Sequence, residues 1–320
     1  MNRPFRSADK ARQTAAWEGD RMEPVYLLFD VGGTEIKCGM AEADGAIRQP
    51  LLRFPAKAKE IQAHILDHFA WVVQTLAGQA GERRIGGVGM AFPGPFDYEH
   101  GISRMRGLDK YDSIYGVPLE KEIKKRAAAV QEARFVFLHD IEAFALGSSR
   151  FGPAKQAGRI LCLCMGTGAG SAFVCHQRIV KQGKGIPLNG WIYQTPFHES
   201  VIDDYLSVRG LARLSREIMG RERDGRTLYE CCQKGDCQAM EVYRRFGAWI
   251  REAMVPFMDA FLPDAMLLGG QIAGSFPFFG GALREECKKR AISVYLEKDT
   301  SIRAMQGLYA WMQSQSIGQL

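Results

Sequence analysis

From Val25 the chain reads Val-Tyr-Leu-Leu-Phe-Asp-Val, a nearly continuous apolar run that ends in Gly32-Gly33. Such a run predicts a buried strand delivered into a tight turn. Residues 36–41 predict its hairpin partner and Asp44-Gly45 the next turn, so the fold opens with antiparallel strands. Ile61, Ile65, Phe69, Val72 and Leu76 recur at helical spacing and predict a helix over 61–77. Residues 85–92 and 135–138 predict further strands. The second leads into His139-Asp140 and a helix over 141–150, which puts Asp140 at a strand end facing a crevice.

The second half repeats the first in outline. Residues 160–165 predict a buried strand feeding Gly166-Thr-Gly-Ala-Gly170, and residues 171–175 the strand that follows. Two strand, glycine turn, strand units in one chain point to an internal duplication. Helices are predicted at about 201–219, 226–234 and 238–262, then a strand at 265–268 entering Gly269-Gly270, then helices at about 278–291 and 301–314. The class is α/β. Residues 1–23 carry no apolar periodicity and read as an N-terminal extension, frayed or weakly helical.

Composition narrows the class. A chain of 320 residues has the length of about two domains, and 46% hydrophobic with 24% charged residues excludes wholesale disorder and fibrous architecture. The net charge of +6 is concentrated in the first 21 residues and in Lys121, Lys124, Lys125 and Arg126. This reads as solvated faces, with no nucleic acid as partner. No run approaches the ~20 apolar residues of a membrane span, and the first 22 residues lack the apolar centre of a signal peptide. A cytoplasmic protein is expected. The eight cysteines lie mostly in apolar runs, as reduced buried thiols do.

Three turns carry candidate chemistry. Asp30-Val-Gly-Gly-Thr34 gathers backbone N–H groups, a hydroxyl and a carboxylate at one turn, which suits phosphates and Mg²⁺, although an ordinary hairpin turn reads the same way. Gly166-Thr167-Gly168-Ala169-Gly170 lets backbone approach β- and γ-phosphates closely. Gly269-Gly270 would leave backbone bare against an adenine and ribose. Three such turns, each capping a strand, exceed what folding punctuation needs.

These segments, with Gly87-Val-Gly-Met-Ala-Phe-Pro-Gly-Pro-Phe-Asp97, His139-Asp-Ile-Glu-Ala-Phe-Ala-Leu-Gly147 and Leu267-Leu-Gly-Gly270, stand in the order of a known family. Over about residues 25–315 the chain resembles the ROK sugar kinases (repressors, open reading frames and kinases) of the actin- and hexokinase-like ATPase superfamily. The resemblance implies a two-domain actin-like, ribonuclease H-like ATPase fold with the duplicated units. The boundaries expected are a small N-terminal domain, 24–139 plus about 303–320, and a larger C-terminal domain, 140–302. It also implies ATP-dependent phosphorylation of a hexose or hexose derivative. In that frame Asp140 matches the general base and Asp30 holds Mg²⁺, through water. Gly32, Gly33, Thr34, Gly166, Thr167, Gly168 and Gly170 clasp the phosphates of ATP. Lys37 neutralises developing charge, and Gly269 and Gly270 border the nucleoside. The plain alternative for Asp140 is a cap on the helix that starts beside it. A homodimer is the family precedent.

The departures fall on the sugar side. Gly94, Pro95 and Asp97 match the family's turn there, but His139-Asp-Ile-Glu142 keeps only the aspartate of an Asn, Asp, any residue, Asn run, leaving Glu142 at a substrate position. Gly190-Trp-Ile-Tyr-Gln194 places Trp191 where the family has a sugar-binding glutamate and Gln194 where it has a histidine. Trp191 either stacks on the sugar or covers apolar core. Asp203 stands where a sugar-binding glutamate is usual, and His198 and Glu199 are candidates to supply the polar groups that the exchanges at Trp191 and Gln194 remove. Asp109 and Asp112 are candidates to replace a missing asparagine or are solvated loop charges. The family's cysteine-rich loop has no counterpart in residues 195–202, and Cys231, Cys232 and Cys237 lack paired spacing, so no zinc site is expected. About 24 residues precede the first strand, too few for the DNA-binding domain of a ROK regulator. The remaining alternative is a catalytically weak sugar- or nucleotide-sensing ROK-like protein.

Overall fold

The structure is a computed structural model that describes residues 23–317; the predicted extension up to residue 22, and residues 318–320, lie outside the described residues. Two five-stranded sheets carry the fold. In the first, β1 (Val25–Val31), β2 (Glu35–Ala41), β3 (Leu52–Pro55), β4 (Ile85–Phe92) and β5 (Phe135–His139) lie in the order β3-β2-β1-β4-β5. In the second, β6 (Arg159–Met165), β7 (Ala169–Cys175), β8 (Arg178–Val180), β9 (Ala265–Gly269) and β10 (Ser293–Leu296) lie in the order β8-β7-β6-β9-β10. Each sheet therefore places an antiparallel meander beside two parallel strands, in one and the same order. The duplication expected from the glycine turns is present in the topology.

The helices are α1 (Gln62–Gly78), α2 (Leu119–Arg126), α3 (Asp140–Phe151), α4 (Val208–Met219), α5 (Gly225–Gln233), α6 (Cys237–Phe261), α7 (Gly281–Lys289) and α8 (Thr300–Ile317). The period-2 alternation of the strands sorts their side chains into layers. Leu27 and Phe29 of β1 join the core under α1, and Leu161 and Leu163 of β6 join the core under α4 and α6. Leu28, Ile160, Cys162 and Leu267 face the other way, into one shared core filled by α3 and α8. Asp30 and Cys164 follow in that inward register, so the inner faces of both sheets end at one crevice.

The helix crossing between the sheets is made by glycines. A β-carbon on Gly147 of α3 would lie 1.8 Å from the Arg303 carbonyl oxygen, and one on Gly307 of α8 would lie 1.8 Å from that of Ala143. No side chain fits between these backbones, so the axes approach until main chain meets main chain.

The predicted helix at 201–219 is broken, because the Ser207 hydroxyl accepts from Arg209 N and caps α4 afresh after a short turn at Ile202–Tyr205. The predicted helix at 278–291 is interrupted at Gly280 and ends at Lys289, and β10 was not foreseen, its four residues showing no apolar alternation. Helix α2 also escaped notice, since only Leu119 and Ile123 of its eight residues are buried. Among the described residues no helix is long and apolar enough to cross a membrane. All eight cysteines are free, and Cys237 is exposed at the start of α6.

Gly147→Val should destabilise the fold by ~3 kcal/mol, read as a lowered denaturant midpoint. Gly78→Ala, at a helix end with nothing within 4 Å of the added carbon, should change it by no more than about 0.5 kcal/mol.

Candidate active site

The crevice is a cleft of about 750 Å³ between the two sheets. Strand register assembles its first wall. Asp30 of β1 pairs with Ala91 of β4, and Phe92 pairs with His139 of β5, so Asp30, the Pro93-Gly94-Pro95 turn and His139-Asp140 emerge side by side. The carboxyl ends of strands are where open α/β sheets place their ligands. Asp140 is the first residue of α3. Its Oδ1 accepts from Ile141 N at 2.8 Å and lies 3.2 Å from His139 Nδ1, while Oδ2 has no protein partner among the described residues. His139, at the N-cap position, makes no side-chain cap; Asp140 Oδ1 meets the first-turn N–H of Ile141, as the capping alternative expects, and Oδ2 is left over.

Asp30 is half-buried and faces Asp140. Burial raises its carboxyl above the ordinary range, a hydrogen bond from Ser301 opposes this, and the Asp140 charge raises it further. Lys37, opposite Asp30 in the ladder, donates to Ser301 Oγ at 3.1 Å and lies 3.9 Å from Glu35. It is thus committed to the wall of the site behind Asp30.

The 32–34 turn is closed by Gly32 N donating to Glu35 O at 2.9 Å. Thr34 holds the following segment through its carbonyl, which accepts from Ala56 N. On the opposite wall Gly166, Thr167, Gly168 and Gly170 all line the cleft. A β-carbon on Gly166 would meet nothing within 4 Å, so the backbone there is bare toward the cavity. This hairpin is held from behind: Ala169 N donates to Asp203 Oδ1 at 2.7 Å, Arg209 donates to Thr167 O at 3.1 Å, and Val208 N donates to Gly166 O at 3.0 Å. Asp203 lines the cleft, but its carboxylate is engaged by the loop and by Arg209. Gly270, with φ +84°, opens the third turn into the cleft, and a β-carbon on it would strike the Met165 backbone. Gly269 packs beneath, against the Phe144 ring.

The third wall is aromatic. Trp191 stands with its ring 5.7 Å from that of His139, which stands 5.9 Å from Tyr98. Ser171 Oγ fixes this segment by donating to Gly190 O at 2.6 Å and accepting from Ile192 N at 2.9 Å. The Trp191 indole N–H is buried and has no partner among the described residues. Gln194 and Tyr193 complete the wall.

Three residues expected at the substrate lie elsewhere. His198 sits at a two-residue hairpin turn with φ +51° and pairs with Glu252 of α6 at 3.0 Å. Glu199 is 84% exposed and reaches Arg213 at 3.5 Å. Glu142, on the first turn of α3, is buried away from the cleft lining and pairs with Lys181 at 2.9 Å. In each case a nearby charged partner captured the residue. Asp109 pairs with Lys59, and Asp112 accepts from Gly107 N and Leu108 N, so neither replaces the asparagine. Tyr193 and Lys110 line the cleft and were missed, since no spacing marks them; Tyr98 packs behind the lining, its hydroxyl donating to Phe92 O at 3.0 Å.

Asp30 suits Mg²⁺ in the way that ion binds, through one carboxylate with waters and phosphates, because burial and Asp140 leave its charge under-compensated. Among the described residues no group of three or more His, Cys, Asp or Glu is placed to hold a metal ion by itself.

The duplicated sheets and the cleft between them define an actin-like ATPase fold. The chain belongs to the ROK family, whose model matches residues 26–308. It is 25% identical over 282 residues to the glucokinase of Thermotoga maritima, covering 80% of this chain and 85% of that one. It is 24% identical to the N-acetyl-D-glucosamine kinase of Vibrio cholerae, covering 78% and 85%. Among solved structures it is similar to a ROK hexokinase from Thermus thermophilus, with TM-score 0.73, 21% identity and coverage of 92% and 100%.

Because the folded Asp30 carboxyl titrates above the ordinary 3.8, its ionised form at neutral pH costs stability, a cost absent below that value. Asp30→Asn should therefore raise the melting temperature of the ligand-free protein at pH 7, with the gain vanishing toward pH 4. A thermal melt series across that range checks it.

Proposed function

We propose that this chain is an ATP-dependent carbohydrate kinase that phosphorylates a hydroxyl of a hexose or hexose derivative, with Asp140 as general base. The observation that carries the reading is Asp140 Oδ2, which has no protein partner among the described residues and is set at a strand end in the cleft with the bare backbone of Gly166 and a second carboxylate, Asp30. The relatives' names support a hexose or N-acetylhexosamine acceptor.

In the proposed reaction the 32–34 and 166–170 turns bind the ATP phosphates from opposite walls, and Gly269-Gly270 borders the nucleoside. Mg²⁺ would supply charge neutralisation at the phosphates, held by Asp30 through water. The sugar lies against Gly94, Pro95, Trp191 and Gln194. As its hydroxyl oxygen bonds to the γ-phosphorus, the proton passes to Asp140, the bond to the β–γ bridging oxygen breaks, and ADP leaves. Lys37 acts by positioning Asp30 through Ser301, and Asp203 by holding the second turn.

We place the domain division where the two sheets separate, with 24–139 plus about 303–320 as one unit and 140–302 as the other. Closure of the two around the cleft would expel water that otherwise hydrolyses ATP. A homodimer is the oligomeric state we propose with it.

The test is a coupled ADP-release assay with Mg·ATP against a panel of hexoses, amino sugars and N-acetylated sugars, beside Asp140→Asn. Sugar-dependent release that falls by at least about 10³-fold in the variant, with nucleotide binding retained, is expected. Nucleotide binding without release for any sugar would contradict the kinase reading and favour a sensing protein.

A further inference from the structure

The loop between a separate two-stranded hairpin, Phe96–Asp97 with Ile102–Ser103, and α2 brings one cation into the cleft. Lys110 is, among the described residues, the only lysine or arginine lining it. It lies over the first glycine turn: a β-carbon built on Gly33 would stand 3.3 Å from Lys110 Cδ. Lys110 is half-buried, and among the described residues it has no hydrogen bond or ion pair. Its acidic neighbour Asp109 is taken by Lys59.

The loop is built to present this residue. Gly107, Asp109 and Tyr111 all have positive φ, at 71°, 55° and 58°. For Asp and Tyr that conformation is unfavourable and persists only where surroundings impose it. The surroundings are specific. Tyr111 is fully buried, with its ring 5.1 Å from Phe92 and 5.9 Å from Phe69, and its hydroxyl donates to Gly32 O at 2.8 Å. Its N–H donates to Ala58 O, and the Asp112 carboxylate accepts from Gly107 N and Leu108 N. Tyr111 thus pins the loop to the very turn that Lys110 overhangs.

We propose that Lys110 is a further catalytic residue, whose ammonium contacts the γ-phosphoryl group of ATP and stabilises the charge that spreads over its oxygens during transfer to the acceptor. The assignment rests on the kinase reading above. It also fills a gap in that reading, since Lys37 is held by Ser301 and the opening turn otherwise offers backbone and a threonine. A cation there acts on positioning and charge, the two contributions that dominate phosphoryl transfer.

The test compares wild type, Lys110→Met and Lys110→Arg by sugar-dependent ADP release and by calorimetric titration with ADP and with a non-hydrolysable ATP analogue. Lys110→Met should lower kcat about 100-fold with the sugar KM changed by less than about twofold, and Lys110→Arg should recover at least about tenfold of the loss. The analogue should bind about tenfold more weakly to Lys110→Met while ADP affinity stays within about twofold, because only the γ-phosphate meets the lysine. A kcat within about threefold of wild type, a loss confined to the sugar KM, or an equal loss for ADP and the analogue overturns the assignment. If wild type releases no ADP with any sugar, the kinase reading fails. The titration then decides Lys110 alone: selective loss of the analogue sustains the γ-phosphate contact, and unchanged affinity removes it.

Discussion

The contact of α3 with α8 fixes the positions of both sheets and of the groups at their inner ends. Gly147 and Gly307 let the two backbones touch, and the pair forms the filling of the core that both sheets share. A larger residue at either position would push the helices apart, and close-packed cores do not absorb such displacement locally. The first residue of α3 is Asp140, and Ser301 at the start of α8 binds both Asp30 and Lys37. The same crossing that holds the sheets together therefore sets the distance between the two carboxylates of the cleft.

That arrangement is electrostatically costly when empty. Two carboxylates face one another at the inner end of two apolar sheets, and burial opposes ionisation of Asp30. A ligand that brings divalent charge and phosphate oxygens relieves the cost, so affinity is built from a conflict in the free protein. The neutral turns at 166–170 and at Gly270, with bare backbone at Gly166, and Lys110 over Gly33, the one lysine lining the cleft among the described residues, complete a surface shaped for a polyanion with its counterion. The aromatic wall of His139, Trp191 and Tyr193 is of a different kind: it offers rings and an indole N–H unpartnered among the described residues where the family pattern has a carboxylate.

The features legible in the sequence were the local ones. A continuous apolar run followed by glycines marks a strand entering a turn wherever it occurs, so β1, β6 and β9 and their turns were visible, and Asp140 with them. Features set by long-range partners were not. Nothing near Lys110 announces that Tyr111 will bond to Gly32, 79 residues away. Glu142 looked like a pocket residue because its spacing from Asp140 matched a motif, but Lys181, just beyond the end of β8, captured it. His198 and Glu199 were turned outward by a hairpin of two-residue strands, too short to leave a pattern.

The most direct test is a crystal structure with Mg²⁺, a non-hydrolysable ATP analogue and an acceptor sugar. The triphosphate is expected between residues 32–34 and 166–168, the metal beside Asp30, and one sugar hydroxyl within hydrogen-bond reach of Asp140 Oδ2. Phosphates bound outside the cleft, or a sugar with no hydroxyl near Asp140, would contradict the proposed chemistry.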